Sequence, residues 1–143
     1  MKLNLEGFSV SSANVCTATG GFVGNVTGNV TTAAGLINPV QVVTATANGA
    51  IALKSGLVTL VHASTAIAAT LAAPVAGQEL FIVNMSGAGT QAHTVTLASG
   101  VTFVGGSNNK LTLDAEGEAI HMIAVSATKW FILENIGTVT VGT

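Results

Sequence analysis

The sequence predicts an all-β protein: a compact, jelly-roll-like β-sandwich or barrel of roughly ten short strands behind an extended N-terminal arm. Two observations predict it. From residue 40 onward, short runs rich in Val, Ile, Leu and Thr alternate with Gly, Asn, Ser and Pro turn signals. No stretch sustains the 3.6-residue periodicity of an amphipathic helix. Charged residues are 7% of the 143, against roughly 25% in ordinary soluble domains. The surface must therefore be covered by Thr, Asn, Ser and Gly, or hidden against partners. Hidden surface is the expectation.

Residues 1–39 form the expected arm, an attachment segment. Leu3 and Leu5, then Phe8 and Val10, alternate as in short strands, and no charge occurs between Glu6 and Lys54. Within it the tetrad Gly24-Asn25-Val26-Thr27 is repeated at once as Gly28-Asn29-Val30-Thr31. Alternation along a strand puts Phe22, Gly24, Val26, Gly28 and Val30 on one edge, with Asn25, Thr27, Asn29 and Thr31 on the other. One edge is small and apolar, the other uncharged and hydrogen-bonding. A lone ribbon buries too little to fold alone, so the first edge is a candidate interface in which glycines admit another backbone. A flexible Gly/Asn/Thr linker is the alternative. Pro39 ends the segment.

Residues 40–143 form the expected body. Val40 to Ala45 precedes Asn48-Gly49, a hairpin signal, and then Ala50 to Leu53. Strands are expected at Leu57 to Ala63, Ala66 to Leu71, Glu79 to Met85, His93 to Leu97 and Val101 to Val104, with a short helix or turn as the alternative over Ala63 to Ala69. Lys110 to Leu113, Glu118 to Val125, Lys129 to Leu133 and Thr138 to Val141 complete the series. Leu80-Phe81-Ile82-Val83 reads as a central apolar strand. Ser55 to Gln78 lacks fixed charge over a length that could span a bilayer, but Thr59, His62, Thr70 and Pro74 interrupt it, so no transmembrane helix is expected.

The residues do not assemble a recognisable catalytic motif. His62, His93 and His121 lie in strand-like runs outside any metal-ligand spacing, and no metal or other cofactor is expected. Asp114, Glu116 and Glu118 have the alternate spacing that opens a calcium loop but lack its remainder, and read as a solvated hairpin tip. Gly20-Gly21-Phe22-Val23-Gly24 is not a phosphate loop, and no serine lies in a nucleophile elbow. A net charge of −2 with four scattered lysines gives no reason to bind nucleic acid. Cys16 alone cannot form an intrachain disulfide and reads as a small buried group. Met1 to Glu6 shows no secretory signal, so synthesis in a cytoplasm is expected, and the sequons at Asn25, Asn29 and Asn84 read as accidents of composition.

The stretch from Asn48 to Leu133 carries a resemblance. Its parts are Asn48-Gly49-Ala50-Ile51-Ala52-Leu53, Thr70-Leu71-Ala72-Ala73-Pro74, Gly77 to Asn84, Ala92-His93-Thr94-Val95-Thr96-Leu97, and Ile120 to Val125 followed by Lys129-Trp130-Phe131. This resembles the β-domains of tailed-bacteriophage capsid decoration (cement or head-fibre) proteins, and related domains on tail fibres. Ser126-Ala127-Thr128 departs from the Asp-Gly type of turn that many relatives carry before the tryptophan. The resemblance implies a non-enzymatic virion protein, a homotrimer bound to the major capsid protein on the outer capsid surface. A tail-fibre receptor- or carbohydrate-binding module is the alternative. Trp130 and Phe131 are the largest anchors of the body, either in the core or between subunits.

Overall fold

The structure, a computed structural model, describes residues 8–10, 16–18, 39–44, 47, 49–52, 55–87 and 91–143. The chain divides into two compact units, residues 1–36 and 37–143. In the first, β1 (Phe8–Val10) pairs antiparallel with β2 (Cys16–Ala18), Ser9 opposite Thr17.

The second unit carries β3 (Val40–Val43), β4 (Gly49–Ile51), β5 (Gly56–Leu60), β6 (Ala68–Leu71), β7 (Glu79–Asn84) and β8 (His93–Leu97). After these come β9 (Thr102–Phe103), β10 (Lys110–Leu113), β11 (Ala119–Ser126), β12 (Lys129–Ile136) and β13 (Thr140–Gly142). From β3 to β11 successive strands change sheet. A six-stranded sheet has the order β3-β5-β7-β11-β12-β9, and a five-stranded sheet the order β13-β10-β8-β6-β4. β3, β5 and β7 run parallel, as do β4, β6 and β8, so the chain winds through three coils, each placing one strand in each sheet. β11 then turns back antiparallel to β7, β10 antiparallel to β8, and β11 and β12 close a hairpin.

The all-β expectation therefore holds, but the architecture is solenoid-like stacking rather than a jelly-roll sandwich or barrel. The physical reason is visible at Gly49. A hairpin was expected there, whereas β3 and β4 belong to different sheets and each pairs with a strand of the next coil. A turn residue says that the chain bends; it does not say whether the next strand pairs or crosses over. Residues 63–65 form bends before β6, not helix. Among the described residues no helix is long and apolar enough to cross a membrane.

The core lies between the sheets. Val58, Ile82 and Ile120 align across one sheet, and Ala69, Val95 and Leu111 across the other, all buried. Trp130 and Met122 fill the space between them without exposure. A fully buried aromatic side chain of this size removes on the order of 200 Å² from water. Among the described residues the Trp130 indole N–H has no hydrogen-bond acceptor, which offsets part of that gain.

Two residues finish ends that the ladders leave open. Gln41 points from β3 toward β4, where its amide donates to the carbonyl of Ala50 (2.8 Å) and accepts the N–H of Ala52 (2.9 Å). It occupies hydrogen-bonding positions on β4 as a neighbouring strand would. Gly56 opens β5 with φ +127°, and a Cβ there would collide with the carbonyl oxygen of Pro39, which accepts the N–H of Leu57 at 3.0 Å. Only glycine permits this close passage between coils.

Candidate interaction face and buried polar corners

The outer surfaces of the two sheets differ in chemistry. Outside the five-stranded sheet, Ala68, Thr94, Thr112 and Thr140 align in one row, and Thr70, Thr96 and Lys110 in the next. Hydroxyls and one ammonium meet water there. Outside the six-stranded sheet the row across the strands reads Val40, Leu57, Phe81, His121, Glu134. Beside it lie Val42 and Val83, then Ile123 opposite Phe131. Val40, Val42, Met85, Val125, Phe131, Leu133 and Ile136 all expose 39–59% of their surface. Monomeric proteins rarely leave apolar side chains contiguous over more than a few hundred Å².

The sequence explains this asymmetry. Strands of the five-stranded sheet alternate, as in His93-Thr94-Val95-Thr96-Leu97, so only one phase is apolar. Those of the six-stranded sheet are apolar in both phases: Leu80-Phe81-Ile82-Val83, and Trp130-Phe131-Ile132-Leu133. Such runs suit strands covered on both sides. One phase here fills the core, and the other forms the outer face.

Charge on that face is sparse. Glu79 and His121 form a pair at 2.6 Å, and His121 meets the Phe81 ring edge-on with centroids 5.8 Å apart. With Ser55, Gly56 and Leu57 they line an open cleft of about 380 Å³. Glu134 lies beside His121, and at the rim the Lys129 ammonium donates to the Thr102 hydroxyl.

The other histidines are structural. The Nδ1 of His93 accepts the N–H of Ile67 at 2.9 Å, so in the neutral ring the proton sits on Nε2, which faces the Ser86 hydroxyl. Ser86 Oγ also accepts the N–H of His62 and donates to the carbonyl of Leu60. Ser86 is thus saturated, and the ring nitrogen beside it is a donor rather than a base, the reverse of what nucleophile activation requires. Burial pushes the His93 imidazole below its ordinary pKa, and nearby His62 pushes it the same way. The Nδ1 of His62 caps its own turn by accepting the N–H of Thr65 at 3.0 Å. Asn84 completes this corner by donating to the carbonyl of Leu113 and accepting the N–H of Ser86. Its side chain is fully buried, which removes the Asn84 sequon from the surface.

A second corner corrects the solvated acidic tip. Asp114 and Glu116 are exposed, but Glu118 is 4% exposed. One of its carboxylate oxygens accepts the N–H groups of Asp114 and Ala115, and the other accepts the N–H and hydroxyl of Thr138. Burial raises its pKa, yet the Thr138 hydroxyl and the backbone donors of Ala115, Thr138 and Asp114 together hold it below the usual value. Nothing in the spacing of three acids distinguishes the one that turns inward.

Phe22, Gly24, Val26, Gly28 and Val30, the edge expected to form an interface, lie outside the described residues, as does the Cys16 side chain. Trp130 and Phe131, adjacent in sequence, separate: Trp130 is core and Phe131 stands on the outer face.

Fold and faces define a class: a two-sheet, solenoid-like all-β protein with one hydroxyl-bearing and one apolar exterior. Comparison with protein-family models, curated proteins and solved structures finds no significant match.

Proposed function

We propose that the chain is a non-enzymatic structural protein of a tailed-phage virion, decorating and stabilising the capsid from outside as a homo-oligomer. The observation that carries this reading is the apolar exterior of the six-stranded sheet, in a chain with only 7% charged residues. A surface of that kind serves assembly through burial, and the saturated Ser86–His93 pair performs no chemistry for it. The resemblance over residues 48–133 supplies the virion setting and the expectation of three copies. In this reading residues 1–39 attach to the major capsid protein, where backbone pairing gives affinity without charge, and residues 40–143 project. Purified full-length chain, added to capsids lacking it, should co-sediment with them at saturable stoichiometry and raise their temperature of disruption. Failure to co-sediment rejects it.

The cleft on the outer face favours a second reading, a carbohydrate-binding module of a tail fibre. Phe81 offers an apolar wall for a sugar ring, and Glu79 and His121 offer hydrogen bonds to its hydroxyls. Glycan binding that is lost on Phe81→Ala, without capsid binding, would favour that module.

A further inference from the structure

We infer that the outer face of the six-stranded sheet is where one copy of this chain packs on another, an assignment that rests on the homo-oligomer reading and gives it a surface. Area, charge and relief point to a second copy as the occupant. The seven exposed side chains of the face leave on the order of 600 Å² uncovered, approaching the roughly 800 Å² that each partner buries in a stable interface. The face does not suit a polyanion, because the one lysine it carries among the described residues, Lys129, stands at the rim and is bonded to Thr102.

Among the described residues its acidic groups, Glu79 paired with His121 and Glu134 beside it, are too few to hold a strongly basic partner. A near-neutral apolar face meeting its own image suffers little like-charge repulsion, and the whole chain carries only −2. The relief of the sheet is graded as well. Valines 40 and 42 stand on the strand at one side, and Phe131, Leu133 and Ile136 on β12 toward the other. Turning one copy over seats the bulky side of each on the low side of its partner, the self-complementarity that a two-fold interface requires, so this face joins copies in pairs and does not by itself close the three copies that the resemblance implies. The opposite exterior, built of threonine rows, stays in water.

The test uses the full-length chain. Sedimentation velocity from nanomolar to tens of micromolar should show an oligomer. Phe131→Glu and Val42→Glu, both at solvent-facing positions, should weaken it at least a hundredfold with an unchanged circular-dichroism spectrum. Thr96→Glu on the other exterior should leave it intact. Hydroxyl-radical footprinting of the unaltered protein needs no variant: Met85 should be protected severalfold in the oligomer relative to the dilute monomer. An oligomer that survives both glutamate substitutions, with Met85 equally reactive at all concentrations, overturns the assignment and leaves homo-oligomerisation standing. A chain that stays monomeric at tens of micromolar overturns both. A monomer whose Met85 is nonetheless protected means that residues 1–38 of the same chain occupy the face, which also rejects the second copy.

Discussion

His93 and Ile67 are joined across two coils: the imidazole Nδ1 accepts the Ile67 backbone N–H at 2.9 Å, with the ring fully buried. The bond requires the neutral ring, and it fixes which nitrogen faces Ser86. Acid should therefore act on this corner first. The folded-state pKa of His93 is lowered, so the unfolded chain takes up the proton more readily. This contribution to stability is complete above the unfolded value of about 6.5 and declines as pH falls below it. Urea midpoints should drop between pH 7.5 and 5. His93→Phe should remove the His93 share of that drop while costing about 1–3 kcal/mol at pH 7.5, because the Ile67 N–H loses its acceptor. A variant that retains the full pH response would detach it from His93.

Glu118 should govern a lower pH window. Its folded pKa is depressed, so its contribution is present above the unfolded carboxylate value of about 4.5 and is lost as pH falls through the folded value. Glu118→Ala leaves the four donors from Asp114, Ala115 and Thr138 without their acceptor. A loss of about 2–4 kcal/mol is expected, with Asp114→Ala, an exposed neighbour, near zero. Denaturant titrations of both at pH 7 decide it.

Gly56→Ala should destabilise by about 2 kcal/mol or more, since φ of +127° is closed to alanine and its methyl would strike the Pro39 carbonyl. Gly77→Ala has a positive φ but open space around it, and should cost less. Similar melting temperatures for the two would refute the close passage between coils.

Trp130 predicts an unequal pair. Truncation to alanine should cost about 3–5 kcal/mol through the cavity it opens. Phenylalanine should cost only about 1–2 kcal/mol, because it also removes an indole N–H that finds no acceptor among the described residues. Calorimetry of both variants measures the difference.

Much of the body was legible in residue order. Strands fall where alternating or apolar runs meet glycine and proline, and β8, β10, β11 and β12 lie close to their expected spans. Pairing was not legible. Asn48-Gly49 carries a hairpin signal, yet Val40–Val43 runs parallel to Gly56–Leu60 and Gly49–Ile51 lies in the other sheet. Local turn chemistry holds no information on which distant strand will be met. The apolar face was legible in principle, since Leu80 to Val83 and Trp130 to Leu133 are apolar in both phases and so call for cover on both sides. The inward turn of Glu118 was not, because its partner Thr138 comes from a separate loop.

Electron cryo-microscopy of purified particles that carry this chain is the deciding measurement. Decoration predicts density for residues 40–143 projecting from the outer capsid surface, in two-fold pairs joined through the six-stranded sheets and tethered to the major capsid protein by residues 1–39. Density confined to the tail tip, or isolated single copies on the capsid, would contradict it.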